Sequence, residues 1–96
     1  MRFFMTFSYD GSNFFGYQKQ PKKRTIQKEL ESVLKQINAG KKVNVSSSGR
    51  TDAGVHAAGQ IANFHLEKML DEDDFLTNVN RYLPEDIAVI DVCRVD

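Results

Sequence analysis

Residues 25–40, TIQKELESVLKQINAG, decide how this chain folds, because here the spacing of apolar residues changes from two to about 3.6. The apolar residues fall at positions i, i+4, i+7, i+8 and i+11, on one face of a helix: Ile26, Leu30, Val33, Leu34 and Ile37. Thr25 is a suitable N-cap and Gly40 a suitable stop. The stretch therefore predicts one amphipathic helix that needs an apolar surface to pack on.

The segments before and after this helix have strand patterns. Apolar side chains alternate with others from Phe3 to Tyr9, and Asp10-Gly11 then supplies the chemistry of a turn. Alternation returns at residues 41–45, KKVNV, and an apolar strand pattern follows at residues 60–66, QIANFHL. Three strands are therefore predicted, with a glycine-rich connection at residues 46–59 between the second and the third.

A second helix and a fourth strand complete the pattern. Asp71 can cap a helix that has an acidic first turn and that ends at Pro84, and residues 87–95 form the last strand. The buried positions of this helix are predicted to be Phe75, Leu76, Val79 and either Tyr82 or Leu83. The order β-α-β-β-α-β predicts the α+β class and a ferredoxin-like fold, with an antiparallel sheet and both helices on one face.

Length and composition are typical of one globular domain, which we assign to residues 1–96. Apolar residues make up 41% of the chain and charged residues 27%, and no apolar run reaches the roughly 20 residues that span a membrane. The N-terminus lacks the unbroken apolar segment of a signal peptide. The single cysteine, Cys93, cannot form an internal disulfide. We predict a cytoplasmic protein without membrane contact, in which Cys93 is a small buried thiol.

The net charge is zero, but the two halves of the chain differ in sign. Residues 1–50 contain ten Lys/Arg and three Asp/Glu, whereas residues 51–96 contain three and ten. The densest basic run lies in a loop with three aromatic residues; the run is Lys22, Lys23 and Arg24, and the aromatic residues are Phe14, Phe15 and Tyr17. Two interpretations stay open: solvated lysines with aromatic core residues, or a face that binds a polyanion and stacks bases.

The connection between the second and third strands carries the motif SGRTDAGVHA at residues 48–57. The whole connection is about twice as long as an ordinary hairpin loop. Gly49 and Gly54 bracket Asp52, and Arg50 precedes it by two residues. Two roles for Asp52 stay open. It caps the turn by accepting bonds from backbone N–H groups, or it is a nucleophile or base in a cleft, where Arg50 keeps it ionised or binds a phosphate.

Other site chemistries fit the motif poorly. The two glycines have the spacing of a Walker A phosphate loop, but Val55 and His56 stand where that loop needs lysine and a hydroxyl. A metal site built from Asp52, His56 and His65 lacks the tight ligand spacing of zinc sites. We therefore predict no metal ion in this protein.

Several stretches, in the order in which they occur here, resemble the TruA family of tRNA pseudouridine synthases. GRTDAGVHA at residues 49–57 resembles the family signature, and YDGSNFFGYQKQ at residues 9–20 resembles the YDGS segment, with Tyr17 where tryptophan is more usual. NRYLPEDIAV at residues 80–89 resembles the segment that leads into the last strand. TIQKELESVL and GQIANF resemble the first helix and the third strand. The resemblance covers most of the chain.

This resemblance implies a reaction and roles for the motif. Asp52 is implied to attack a uridine and Arg50 to be the active-site arginine beside it, so that uridine becomes pseudouridine in the anticodon stem-loop region of tRNA. The family needs no cofactor and no metal for this. The target nucleotide has to leave the RNA stack to reach Asp52. Four further residues are predicted to contact RNA: Lys22, Lys23, Arg24 and His56.

Members of the family are longer, contain a second domain and form homodimers, so the chain resembles only their N-terminal half. We expect the chain alone to have little or no activity and to expose an apolar surface through which it self-associates. Two alternatives stay open beside the enzyme: a non-catalytic RNA-binding module of the same fold, and a structural domain in which Asp52 only caps a turn.

Overall fold

A computed structural model describes residues 2–47, 57–67 and 71–95. The described part contains four strands and two α-helices: β1 Arg2–Tyr9, α1 Ile26–Ile37, β2 Ser46–Ser47, β3 Ala57–His65, α2 Glu72–Tyr82 and β4 Ile87–Val95. A single turn of 3-10 helix, Gly11–Asn13, follows β1. The predicted order of elements is confirmed.

The four strands form one sheet in the order β2-β3-β1-β4, and every neighbouring pair is antiparallel. β1 lies inside the sheet and pairs with β3 on one side and with β4 on the other, so β2 and β4 are the edge strands. β2 and β1, which α1 connects, run in the same direction but are separated by β3. This is the predicted antiparallel ferredoxin-like arrangement.

One face of the sheet is buried under both helices. Phe3, Met5, Phe7 and Tyr9 point to this face, as the alternation along β1 predicts. The ring of Phe75 in α2 stacks on Phe3 and on Phe64 of β3, with ring centroids 6.1 Å and 5.6 Å apart. The apolar face of α1 joins the same cluster through Ile26, Leu30, Val33 and Leu34. A single core therefore joins the sheet to both helices.

The helices begin and end where the sequence predicts. The hydroxyl of Thr25 accepts a bond from the backbone N–H of Lys28 at 3.3 Å, and the carboxylate of Asp71 accepts one from Asp74 at 3.3 Å. α1 ends before Gly40, which adopts a φ of +83° that favours glycine. At the end of α2, Leu83 is buried and Tyr82 is exposed, so Leu83 is the residue that completes the buried stripe.

The prediction of the second strand at residues 41–45 is wrong, because β2 consists of Ser46–Ser47. Val43 and Val45 are buried, so the alternation is real. The backbone of Val45 nevertheless bonds to side chains of α1. Its N–H donates to Glu31 Oε2 at 3.0 Å, and its carbonyl accepts from Gln27 Nε2 at 3.2 Å. Residues 41–45 therefore pack on α1 as an extended segment outside the strand ladder.

The prediction that Cys93 is buried is also wrong, because its side chain is exposed. β1 pairs Thr6 with Asp91 and Phe7 with Val89, so Ile90 is an extra residue in β4. Beyond this bulge the buried position moves to Val92, and the alternation places Cys93 on the other face. A bulge of one residue thus moves Val92 to the buried face and Cys93 to the exposed face.

The sheet face away from the helices exposes apolar side chains. Phe4 in β1 and Ile61 in β3 are exposed on it, and Ile90 is exposed at the bulge of β4. Arg2 places its guanidinium over the ring of Phe4, 5.5 Å from the centroid. The chain therefore presents the exposed apolar surface that the sequence analysis expects.

The contact of α2 with the sheet depends on Phe75, which is 0% exposed. We expect Phe75→Ala to lower the free energy of unfolding by about 3–5 kcal/mol, because it removes a fully buried ring and leaves a cavity. Urea unfolding followed by circular dichroism measures this change. Tyr82→Ala is the matched control, since Tyr82 lies on the same helix but is 53% exposed; it should change stability by about 0.5 kcal/mol or less. Equal losses would contradict the proposed packing.

Candidate functional site

The motif residues Arg50, Asp52 and His56 lie outside the described residues, and their roles stay predictions. The structure does describe the frame on either side of them. β2 ends at Ser47, which pairs with Ala62, and β3 begins at Ala57, which pairs with Tyr9 at the end of β1. β3 therefore continues about 17 Å beyond its last pair with β2. Residues 48–56 connect these two points.

A chain of hydrogen bonds ties three strands together at this end of the sheet. The hydroxyl of Tyr9 donates to Gln60 Oε1 at 3.0 Å, and Gln60 Nε2 donates to Ser47 Oγ at 2.5 Å. Ser47 Oγ donates in turn to the carbonyl of Ile61 at 3.4 Å. These bonds hold Ser47, the last residue of β2 and the last described residue before the motif, against β3 and β1.

Tyr17 lies beside this network and is only 3% exposed. Its ring stacks on Phe7 with centroids 6.2 Å apart, and its hydroxyl has no hydrogen-bond partner with normal geometry in the described part of the chain. Burial raises the pKa of the Tyr17 phenol above its ordinary value, an effect that the nearby Ser47 hydroxyl opposes and the Glu31 carboxylate reinforces. Tyr17 is thus a neutral hydrogen-bond donor at physiological pH.

Tyr17 lines a depression of about 210 Å³. The depression is lined almost entirely by polar side chains and backbone: Tyr17, Gln18, Gln27, Val45, Ser46 and Ser47. It lies at the end of β2, directly before the motif segment. Among the three aromatic residues of the loop, Phe14 and Tyr17 are buried and Phe15 is 49% exposed. Two of the three rings are core residues, and one is available at the surface.

The loop with the basic run is held by its own backbone. The N–H of Phe15 donates to the carbonyl of Arg24 at 2.8 Å, and the N–H of Lys23 donates to Gln20 at 3.3 Å. Pro21 and Lys22 are the central residues of this turn, and Lys22 adopts a φ of +59°, as the third position of a type II turn requires. Both lysines are exposed, and Lys23 Nζ lies 4.4 Å from the centroid of the Phe15 ring.

Arg24 differs from the two lysines before it. Its guanidinium donates to both oxygens of Asp86, at 3.0 Å and 3.1 Å, and lies 4.1 Å above the ring of Phe14. The hydrogen bond to Asp86 raises the pKa of Arg24 further above its ordinary value. Arg24 therefore fastens the loop to the turn before β4, and its predicted contact with RNA stays a prediction.

His65 lies at the end of β3 opposite to the end at which the motif segment rejoins the sheet. It pairs with Arg2, whereas Ala57 pairs with Tyr9. The partners that the sequence analysis considers for it in a metal site, Asp52 and His56, lie outside the described residues. Within the described residues, no three His, Cys, Asp or Glu side chains are grouped in a way that suits a metal ion.

Sequence reasoning missed Glu31, which is the most connected carboxylate near the site. Its side chain is 11% exposed and accepts bonds from Lys19 Nζ at 2.9 Å, from Gln27 Nε2 at 3.2 Å and from the backbone N–H of Val45 at 3.0 Å. The signal for it was the i, i+4 spacing of Gln27 and Glu31 beside the apolar stripe of α1. Glu31 joins the helix to the segment that leads into β2.

No helix in the described ranges is both long and apolar enough to cross a membrane. A family model described as tRNA pseudouridine synthase matches residues 5–96. The chain is 53% identical over 91 residues to tRNA pseudouridine synthase A of Geobacillus sp. strain WCH70, and 47% identical over 89 residues to the protein of that name from Shouchella clausii.

These matches cover 95% and 93% of this chain but only 37% and 34% of the two relatives. A relative from Caldicellulosiruptor saccharolyticus, also named tRNA pseudouridine synthase A, is 47% identical over 91 residues and is covered to 37%. The chain therefore spans about a third of the length of the curated relatives that it matches.

The bonds of Glu31 predict that this carboxylate stabilises the fold. We expect Glu31→Ala to lower the free energy of unfolding by about 1–3 kcal/mol, because the N–H of Val45 and the amide of Gln27 lose their acceptor in a partly buried place. Glu29→Ala is the control on the same helix, since Glu29 approaches Arg24 only at 3.8 Å; its loss should be about 1 kcal/mol or less. Urea unfolding of both variants measures the difference. A Glu31 variant as stable as the control would show that these bonds contribute little.

Proposed function

The chain belongs to the family of tRNA pseudouridine synthases, and we propose that it is the N-terminal, catalytic part of an enzyme that isomerises uridine to pseudouridine in tRNA. The observation that carries this proposal is the family match over residues 5–96, which includes the whole motif at residues 48–57. Because the matches cover only 37% and 34% of two curated relatives, we propose this activity for a longer chain in which residues 1–96 form one domain.

In the proposed reaction Asp52 is the nucleophile. The bond between N1 of uracil and C1′ of ribose breaks, the base turns, and a new bond forms between C5 and C1′. N1 gains a proton and C5 loses one, so substrate and product are isomers and no oxidant or reductant takes part. A carboxylate suits this chemistry because it can add covalently and leave again. Arg50 supplies the positive charge that keeps Asp52 ionised or binds a phosphate of the displaced nucleotide.

The described frame supports the reaction by fixing both ends of the motif segment. A catalytic side chain in a long connection has to be held by rigid neighbours to keep its geometry. The bonds from Tyr9 through Gln60 to Ser47 fix the end of β2, and the pairing of Ala57 with Tyr9 fixes the start of β3. The motif itself is rich in small residues, which suits a site that has to admit a displaced nucleotide.

The family resemblance also suggests the target region of the tRNA, the oligomeric state and the location of the protein. We propose that the target lies in the anticodon stem-loop region of tRNA, that the full-length protein is a cytoplasmic homodimer, and that the isolated chain lacks turnover because the rest of the cleft is absent. Lys22 and Lys23 are exposed at the tip of an ordered loop, which suits contact with phosphates. His56 is proposed to contact RNA from within the motif itself.

A chimera tests this function. In the chimera this chain replaces the matching segment of the relative from Geobacillus, and tritium release from tRNA labelled with 5-³H-uridine measures isomerisation. The chimera should release tritium, and the isolated chain should not. Asp52→Ala and Asp52→Asn should each reduce release by roughly a thousandfold or more, because both remove the nucleophile. Both variants should still bind tRNA.

The control for the chimera is Asp73→Asn, which removes a carboxylate from the exposed first turn of α2 and should leave release unchanged. A chimera that is inactive while the Geobacillus enzyme is active contradicts the proposed function. If the inactive chimera still binds tRNA in a salt-sensitive way, the chain is an RNA-binding module. Isomerisation by the Asp52 variants shows instead that another residue is the nucleophile.

A further inference from the structure

Two depressions lie between α1 and residues 42–47, on either side of the bonds that join Gln27, Glu31 and Val45. The first, the lysine groove, has a volume of about 330 Å³, and its lining includes Lys19, Lys28, Lys35 and Lys42. The second, the tyrosine pocket, is the polar depression of about 210 Å³ beside Tyr17.

The lysine groove carries a positive charge that the described residues do not neutralise. Its four lysines and one carboxylate, Glu31, leave a formal charge of +3 (four minus one). Glu31 already pairs with Lys19 and accepts two further hydrogen bonds, so it does not neutralise the other three lysines. Lys28, Lys35 and Lys42 are exposed, and within the described ranges none of the three forms an ion pair.

The spacing of these charges suits an extended polyanion. Lys28 and Lys35 are seven residues apart on α1, which places them on one face and about 10 Å apart along the helix axis. One strand of a nucleic acid duplex carries a phosphate about every 3.4 Å along its axis. The two lysines are therefore separated by roughly three phosphates, and Lys42 faces them across the groove.

The tyrosine pocket supplies a second, independent observation. Tyr17 is buried and lines the pocket, and its hydroxyl forms no hydrogen bond of normal geometry within the described residues, although the Ser47 hydroxyl lies nearby. A buried hydroxyl without a partner is unfavourable, and native proteins retain few of them. Phosphate and ribose oxygens accept hydrogen bonds from tyrosine hydroxyls in nucleic acid complexes. An RNA strand in the pocket would supply the acceptor that Tyr17 lacks.

We propose that the lysine groove and the tyrosine pocket together bind the phosphodiester backbone of the RNA strand next to the target nucleotide. Lys28, Lys35 and Lys42 contact phosphates spaced along this strand, and the Tyr17 hydroxyl donates to an oxygen of the same strand in the tyrosine pocket. The inference rests on the proposed function, which makes RNA the substrate. It adds to that function a second binding surface, separate from the loop that carries Lys22 and Lys23.

Matched charge variants of the chain test the lysine groove. Lys28→Gln/Lys35→Gln removes two groove charges, and Lys41→Gln/Arg81→Gln removes two charges outside it. Lys41 already pairs with Glu67 at 2.6 Å, and Arg81 lies on α2. Fluorescence anisotropy with labelled tRNA gives the dissociation constant between about 50 mM and 200 mM salt, the range in which phosphate contacts respond strongly. Circular dichroism confirms that each variant is folded.

The groove variant should bind tRNA more weakly, and the slope of log K against log salt should fall in magnitude by about 1.5, since each lost phosphate contact contributes about 0.7–0.9. The control variant should match the parent chain. Lys28→Arg/Lys35→Arg keeps the charge and should restore both affinity and slope. Groove and control variants with equal slopes overturn the proposal. So does groove-dependent binding of polyglutamate without binding of tRNA, because the partner is then an acidic protein.

Tyr17→Phe tests the hydroxyl, because it removes one oxygen and keeps the ring. The free variant should have a urea midpoint equal to or above that of the parent, since the lost hydroxyl has no partner. Its affinity for tRNA should fall about three- to tenfold, the worth of one hydrogen bond. Unchanged affinity removes Tyr17 from the site, and a lower midpoint shows that the hydroxyl has a structural partner instead.

These outcomes separate the proposal from the proposed function. If the chain binds no tRNA at low salt, the groove proposal is wrong, while tritium release by the chimera still decides whether the chain is part of a synthase. If the chimera is active and the groove variants bind tRNA normally, the proposed function stands and the groove proposal is wrong.

Discussion

The position of β1 inside the sheet is the constraint on which the rest of this structure depends. β1 pairs along its whole length with β3 on one side and with β4 on the other, so the register of both strands is set by one alternating sequence. Its buried face places Phe3 against Phe64 and Phe75, and the three stacked rings link the central strand, its neighbour and α2. Stacked pairs of this kind add to the free energy gained from burial alone. The end of β1 at Tyr9 also fixes where the motif segment rejoins the sheet.

The polar side of α1 has a second organising role. Glu31 and Gln27 bond to the backbone of Val45, so the chain approaches β2 along the helix before it reaches the sheet. β2 is only two residues long, so β3 extends beyond its last pair with β2. The lysine groove and the tyrosine pocket lie between α1 and residues 42–47.

The sequence predicted the elements whose signals are local. The spacing of apolar residues and the caps at Thr25 and Asp71 locate both helices, and alternation locates β1. Prediction from the sequence failed where the contact that decides the structure joins residues far apart in the chain. Buried valines at residues 43 and 45 look alike whether the backbone bonds to a strand or to helix side chains. The bulge at Ile90 exists only because of pairing with β1, so its effect on Cys93 was not visible.

In the candidate site, too, the sequence predicted the features that have a local signal and missed those that depend on distant contacts. The roles of Arg50 and Asp52 came from the resemblance of a continuous motif, and Lys22 and Lys23 from a visible run of charge. Nothing local marks Arg24 as the partner of Asp86, a residue 62 positions away. Nor does anything local mark the Tyr9–Gln60–Ser47 bonds, since these residues come from three separate strands.

The distribution of charge explains how a chain with zero net charge can bind a polyanion. The sequence places most basic residues in the first half and most acidic residues in the second, and folding brings some of them together. Arg24 pairs with Asp86 and Lys41 with Glu67, so these basic residues are neutralised by the acidic half. Lys28, Lys35 and Lys42 are left in one groove without such partners in the described residues. Salt screens charges over about 10 Å, so the charges nearest to an approaching phosphate matter most. In this groove those charges belong to lysines that form no ion pair within the described residues.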